Sequence, residues 1–398
     1  MNLLIVTQEP FPRGMAATNR VLSHAKGMCS LSHSVEVVVI TPTEKADGII
    51  RNDNVRGVYE GIPFEYAPNT TLWPKSKLMK LFVVAEGFLK AARLSFHFSR
   101  RTGKKSVLLV SNSFAVIVFM FVVCALLRIP YVQEKSEYPF VLRRKNLFGR
   151  LYASLYTNVV YHLFDGMVIM TQTLVQYFRP RIRKSARVIV VPMTVEPERF
   201  LCDGSADNVN DKYVAYCGFM GDSKDGVSIL IEAFSIISKK YPYLKLYLIG
   251  DTGRTEEFDI LKEQVHALRL EDRVLFTGRI SREKIPSLLS GATALALARP
   301  SGLQAHGGFP TKLGEYLSTG KPVVVTRVGE IPLYLEDRVS AFLAEPDSAK
   351  AFAHKLDEVL EDYDFALKVG MEGRNVVHRV FDYKVQAHRL ADFFEMLA

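Results

Sequence analysis

Residues 307–325, GGFPTKLGEYLSTGKPVVV, decide how this chain is read. Gly307 and Gly308 let a backbone approach a ligand closely, and Pro310 sets φ at a helix start. Thr311 and Lys312 then place a hydroxyl, a cation and free N–H groups at that start, which are the parts of a phosphate site. Glu315 follows about one helical turn later, where a carboxylate can accept hydrogen bonds from a ribose diol. The helix should stop at Gly320, before Lys321 and Pro322 lead into a strand. Capping alone would need Gly320 but not the Gly-Gly, Pro, Thr-Lys and Glu together.

Outward from this segment, short β-branched runs alternate with longer helical patterns. The first half has runs at 3–7, 34–40, 107–110, 131–133, 166–170 and 188–191; the second has 213–217, 244–249, 274–276, 294–297 and 323–325. This alternation predicts an α/β chain with parallel sheets covered by helices on both faces. Residues 196–211, rich in Asp, Asn, Gly and Pro, read as a linker between domains 1–195 and 212–375. In the tail, 376–398, Val385, Leu390, Phe393, Phe394 and Leu397 recur at helical spacing, so a last helix should pack back on the body. Two doubly wound domains facing across a cleft would bind ligands outside the carboxyl ends of their strands.

At 398 residues with 48% hydrophobic and 23% charged, the chain can fill two cores, which argues against disorder or a collagen-like repeat. Cys29, Cys124, Cys202 and Cys217 are too far apart for a metal knuckle and too few for a disulfide framework, so a reducing compartment is expected. The apolar run 3–6 is too short for a signal peptide, so cytoplasmic residence is expected. The stretch 107–127 is broken by Ser111, Asn112 and Ser113 and reads as strand, turn and buried helix rather than a membrane span. Of nine histidines only His306 lies beside a motif. Asp362, Tyr363 and Asp364 spell a D-x-D, but between two helical segments, so no metal site is expected.

Charge divides the chain. Residues 1–195 hold 26 Lys and Arg against 11 Asp and Glu, whereas 196–398 hold 25 against 31. Between 75 and 105 there are nine basic residues and one acid, Glu86, while Leu78, Leu81, Phe82, Ala85, Phe88, Leu89, Ala92 and Phe96 fall on one helical face. Such a helix can lie on an anionic membrane, with Arg143, Arg144, Lys145 and Arg150 widening the patch, or it can pack its apolar face on the sheet. The charge bias of the whole first domain favours the membrane, with the protein peripheral on its cytoplasmic face.

The 307–325 segment resembles the E-G-F-P-x-x-x-x-E and G-x-P-V-V pattern of the GT-B glycosyltransferases of the large retaining group called family 4. Gly308, Phe309, Pro310, Glu315, Gly320, Pro322, Val323 and Val324 match, while Gly307 stands at the first glutamate. Residues 218–226, GFMGDSKDG, resemble that family's G-R-x-x-x-x-K-G loop, with Lys224 near the lysine position, Asp225 next to the glycine, and Phe219 at the arginine. Residues 191–200, VPMTVEPERF, resemble its hinge, Ile249-Gly250-Asp251 its I-G-D strand end, and 276–281, FTGRIS, the loop bordering the nucleobase. In the first half, 10–20, PFPRGMAATNR, resembles the glycine-containing loop near the transferred sugar. Residues 131–140, YVQEKSEYPF, follow a strand where many relatives carry a histidine and this chain has none.

The resemblance implies two Rossmann-like domains and a retaining, metal-independent transfer from a nucleotide-diphosphate sugar, a substrate rather than a cofactor, to a saccharide or lipid-linked acceptor. Nucleic acid is not an expected partner. The donor-site candidates are Gly218, Lys224, Arg279, Ile280, Gly307, Gly308, Phe309, Pro310, Thr311, Lys312 and Glu315, with Arg13 and Gly14 on the acceptor side. Lys224, Lys312, Glu134 and Glu137 are the candidate catalytic groups; the two glutamates are equally placed to cap or to pair with Lys135, and Arg299 could replace the missing arginine. A sugar-nucleotide epimerase of the same fold is an alternative. A catalytically silent binding or scaffold subunit is another, suggested by Gly307 and Phe219.

Overall fold

The computed structural model describes residues 1–139, 146–200, 212–251 and 256–397. The chain divides into two compact units, Met1–Thr194 with Tyr383–Ala398, and Val195–Asp382. Of the segment read as a linker, residues 196–200 belong to unit 2, and residues 201–211 lie outside the described residues.

Unit 1 contains β1 (Asn2–Thr7), α1 (Ala16–Ser30), β2 (Ser34–Val39), β3 (Glu44–Lys45), β4 (Arg56–Tyr59), β5 (Ile62–Tyr66) and β6 (Leu72–Trp73). It continues through α2 (Lys77–Ser99), β7 (Lys105–Val110), α3 (Phe114–Leu127), β8 (Tyr131–Lys135), α4 (Leu147–Val159), β9 (Gly166–Ile169), α5 (Gln172–Phe178) and β10 (Arg187–Val190). Its main sheet runs β10-β9-β8-β7-β1-β2-β5-β4, parallel except for the antiparallel edge strand β4, and β3 pairs with β6 apart from it. Central strands such as β1 are apolar along their length because helices cover both sheet faces. Residues of α2, α3, α4 and α5 join the core on one face, and those of α1 and the final helix join it on the other.

The helix after β7 departs from expectation. It is buried only along Val116, Ile117, Met120, Val123 and Cys124, while Leu126 is 79% exposed. As the outer layer of a sheet-and-helix stack it needs one apolar stripe, yet it is apolar all round.

Unit 2 contains β11 (Tyr213–Cys217), α6 (Asp222–Asp225), α7 (Val227–Ile237), β12 (Lys245–Ile249), α8 (Glu256–Ala267), β13 (Val274–Gly278), α9 (Ile285–Ser290), β14 (Ala294–Leu297) and α10 (Leu303–Gly307). After these come α11 (Thr311–Ser318), β15 (Val323–Thr326), α12 (Ile331–Tyr334), β16 (Phe342–Ala344), α13 (Ala349–Glu361) and α14 (Tyr363–Val376). Its sheet is wholly parallel, in the order β13-β12-β11-β14-β15-β16. The last helix, α15 (Tyr383–Glu395), returns to unit 1 against α1. Among the described residues no helix is long and apolar enough to cross a membrane.

Candidate functional site

Counted from its own first strand, unit 2 has the order 3-2-1-4-5-6, so strand succession reverses between β11 and β14. In such sheets ligands lie outside the carboxyl ends at the reversal. The loops leaving β11 and β14 carry Gly218 to Gly226 and Ala298 to Gly302, and α11 starts beside them.

Lys312, in the first turn of α11, reaches back over the end of β11. Its Nζ donates to the Asp225 carboxylate and, at 3.1 Å, to the Tyr216 hydroxyl, and lies 4.8 Å from the centre of the Tyr216 ring. A Cβ on Gly218 would fall 2.2 Å from this Nζ and 2.4 Å from Tyr216 Oη, so Gly218 leaves room for the lysine itself. The Tyr216 hydroxyl lies 2.9 Å from Asp225 Oδ2. Burial raises the pKa of Asp225, but the Lys312 charge and its hydrogen bond, with Tyr216 and Arg299, outweigh it, and the carboxyl ends below its usual range. Tyr316 fastens α11 to β11: its hydroxyl accepts from Cys217 N–H at 2.6 Å and donates to Cys217 O at 3.2 Å. Burial pushes the Cys217 thiol up to about 12, so it stays protonated.

Glu315 sits half-buried one turn beyond Lys312, 3.7 Å from Arg199 Nη1. Arg282 lies 3.7 Å from Glu196, so charges of alternating sign surround the carboxylate. Burial raises the Glu315 pKa; Arg199, Arg282 and Lys312 oppose it without cancelling it. Glu315 is the fifth residue of α11, beyond the first turn where a carboxylate supports the helix dipole. Gly307, Gly308 and Pro310 are buried, Thr311 is half-buried, and the Phe309 ring is packed 5.5 Å from both Tyr334 and Phe381. The Phe309 ring therefore anchors the loop within unit 2. Arg279 is exposed and Ile280 half-buried just past β13, and Lys224 is exposed in α6.

Among the described residues no group of three or more His, Cys, Asp and Glu side chains converges as a metal site. Asp362 of the D-x-D caps α14, accepting from Phe365 N–H at 3.0 Å. His306 is exposed in α10.

In unit 1 the comparable reversal lies between β1 and β7. Arg13 is exposed there, its backbone gripped by Asn52 at 2.9 and 2.8 Å, and Gly14 packs on Thr18, whose hydroxyl donates to Pro10 O at 2.7 Å. Glu134 neither caps nor pairs with Lys135. It binds buried Arg20, which also donates to Val191 O and Pro192 O at 2.7 and 2.8 Å. Lys135 instead donates to Asn112, and burial lowers it to about 8. Glu137 is half-buried, and residue 140 of this segment lies outside the described residues. Tyr216, Asp225, Arg199, Arg282 and Tyr316 are the members that sequence reasoning did not assign. Arg199 stood inside the quoted hinge segment, and Arg282 one residue past FTGRIS.

Residues 204–376 match the model of the family described as glycosyl transferases group 1. Over 218 residues the chain is 28% identical to the amylovoran biosynthesis glycosyltransferase AmsK of Erwinia amylovora, covering 53% of this chain and 51% of that one. Over 250 residues it is 23% identical to a GDP-mannose-dependent α-(1-6)-phosphatidylinositol monomannoside mannosyltransferase of Mycobacterium tuberculosis, covering 59% and 64%. The alignments thus span between half and two thirds of these relatives' lengths. The crystal structure of HepE from Anabaena in complex with UDP shares the fold over 100% of both chains, with a TM-score of 0.73 at 18% identity. Two Rossmann-like units of parallel sheet and covering helices make this a GT-B fold. By residues 204–376, the part of the chain that forms most of unit 2 is similar to the glycosyl transferases group 1 family.

Proposed function

We propose that the protein moves a sugar from a nucleotide-diphosphate donor to a saccharide or lipid-linked acceptor, with retention at the anomeric carbon. Unit 2 holds the nucleotide. The observation that carries this reading is the Lys312 ammonium fixed over the end of β11, with the half-buried Glu315 carboxylate one turn along the same helix. When the bond between the anomeric carbon and the diphosphate oxygen breaks, negative charge grows on the leaving group. Lys312 and the free N–H groups of the first turn of α11 offset it, and such fixed charge supplies the largest share of this kind of catalysis. Glu315 accepts from the ribose hydroxyls. With protein cations in this role, the transfer is expected to need no metal ion.

An anionic membrane is the proposed surface on which the acceptor is met, placing the protein peripherally on the cytoplasmic face. In α2 the buried residues are Val83, Gly87, Ala91, Ser95 and Phe98, while Leu78, Leu81, Phe82 and Leu89 are exposed. Most of the apolar stripe therefore faces outward, beside exposed Lys77, Lys80 and Arg93, although Phe88 packs on Phe119 and the core. On the same sheet side, α4 exposes Leu147, Phe148 and Leu151 next to Arg150. Arg143, Arg144 and Lys145 lie outside the described residues.

The test is a panel of UDP-, GDP- and ADP-sugars incubated with the protein, with and without lipid extract, measuring nucleoside diphosphate release. Slow hydrolysis of one donor, accelerated by lipid, is the expected result. Interconversion of free sugar nucleotides would instead indicate an epimerase, and binding without turnover a scaffold.

A further inference from the structure

We propose that Asp225 is the positioning residue of the donor site: it fixes Lys312 so that this cation, rather than Lys224, meets the donor's diphosphate. The inference rests on the transferase reading above. In the loop 218–226 the aspartate occupies the place next to Gly226, where a lysine would put a positive charge, and Lys224 is displaced by one residue onto an exposed position. The loop thus supplies a buried anion at that place, and the cation comes from α11, 87 residues further along the chain.

The geometry fixes both partners. Gly226 has φ +65°, and a Cβ there would sit 2.1 Å from Ala298 O, so the turn that follows Asp225 is pinned against the end of β14 in a form only glycine adopts without strain. Asp225 is 5% exposed and is held by Lys312 and by Tyr216, itself buried in β11. An ammonium has three donors; Asp225 and Tyr216 take two, which leaves one for a ligand oxygen, and the Lys312 side chain is 17% exposed. Arg299, 2% exposed at the end of β14, acts on Asp225 from the other side of the reversal. A neutral residue at 225 would remove the anion shared by Lys312 and Arg299 and leave Tyr216 alone to hold the flexible lysine.

The experiment titrates the whole chain with UDP, GDP and ADP by calorimetry, for the wild type and for Asp225→Ala, Asp225→Asn, Lys312→Met, Lys224→Met and Asp225→Ala/Lys312→Met, with thermal melts of each. The expected result is that Asp225→Ala and Lys312→Met each weaken binding about tenfold, the scale of one charge-assisted contact. The double variant should be no weaker than Lys312→Met alone, because the aspartate acts only through the lysine. Asp225→Asn, which keeps a hydrogen-bond acceptor, should fall between Asp225→Ala and the wild type, and Lys224→Met should cost less than Lys312→Met. Additive losses, a tighter-binding Asp225→Ala, or a fall in melting temperature at unchanged affinity would overturn the proposal while leaving nucleotide binding intact. Failure of the wild type to bind any of the three would overturn the transferase reading, and this inference with it.

Discussion

Glu315 carries a pH signature of its surroundings. An acid whose folded pKa is raised adds stability only while protonated, and that contribution is lost as pH rises from the ordinary value of 4.5 through the folded one. Glu315→Gln removes the buried charge. Its melting temperature at about pH 7.5 should therefore equal or exceed the wild type's, the advantage shrinking toward 4.5; a lower value at neutral pH would mean that Arg199 and Arg282 need the carboxylate for stability. Glu134 is the opposite case. Glu134→Ala would leave Arg20 buried without its partner, at a cost of about 3–5 kcal/mol in urea denaturation. A loss below about 1 kcal/mol would mean that the pair contributes little to stability. Lys312 and Glu315 were legible because one short helix start carries them. Asp225 and Tyr216 stood in quoted or adjoining residues, but no spacing reveals that they meet a lysine from another segment.

At the scale of elements, the parallel strands were legible because burial on both faces writes them as unbroken β-branched runs, as in Val323–Thr326. The pairs β3 and β6, the hairpin β4–β5, and β16 were not, since two to five residues with polar or aromatic members carry too little periodicity. For α2 the sequence showed an apolar stripe but not its direction. The structure turns Gly87, Ala91 and Ser95 inward, where small side chains let the helix lie close to the body, and, Phe88 apart, the bulky stripe outward, Leu78, Leu81, Phe82 and Leu89 above all. Lys90 is committed to Glu65 at 2.7 Å, so the charge reversal that tests membrane contact uses Lys75, Lys77, Lys80 and Arg93. Changing these four to Glu should abolish sedimentation with vesicles rich in anionic lipid, since each basic residue near such a surface contributes roughly 1 kcal/mol. Equal sedimentation of wild type and variant would leave the exposed stripe with no part in membrane binding.

Across the whole molecule, the two-unit plan followed from alternation of strand and helix, and the first change of unit, after Thr194, lies one residue from the expected end at 195, whereas the second does not fall at 375. The chain leaves unit 2 at Asp382, and α15 closes over α1 through Leu390, Phe393 and Phe394, a contact between the two ends of the chain that no local pattern encodes. The excess of basic residues lies in the unit with the outward apolar stripe, and the reversal of strand order with its cation and carboxylate lies in the other. On the proposed reading, nucleotide binding is a property of unit 2, independent of acceptor and of divalent metal. It is tested most directly by calorimetric titration of the full chain with the nucleoside diphosphate of its preferred donor, in excess EDTA, for the wild type and Glu315→Gln. The account predicts saturable binding by the wild type and a loss of about ten- to a hundredfold in the variant, as expected when charge-assisted hydrogen bonds to a ribose diol are removed. Equal affinities, or no binding without metal, would contradict it.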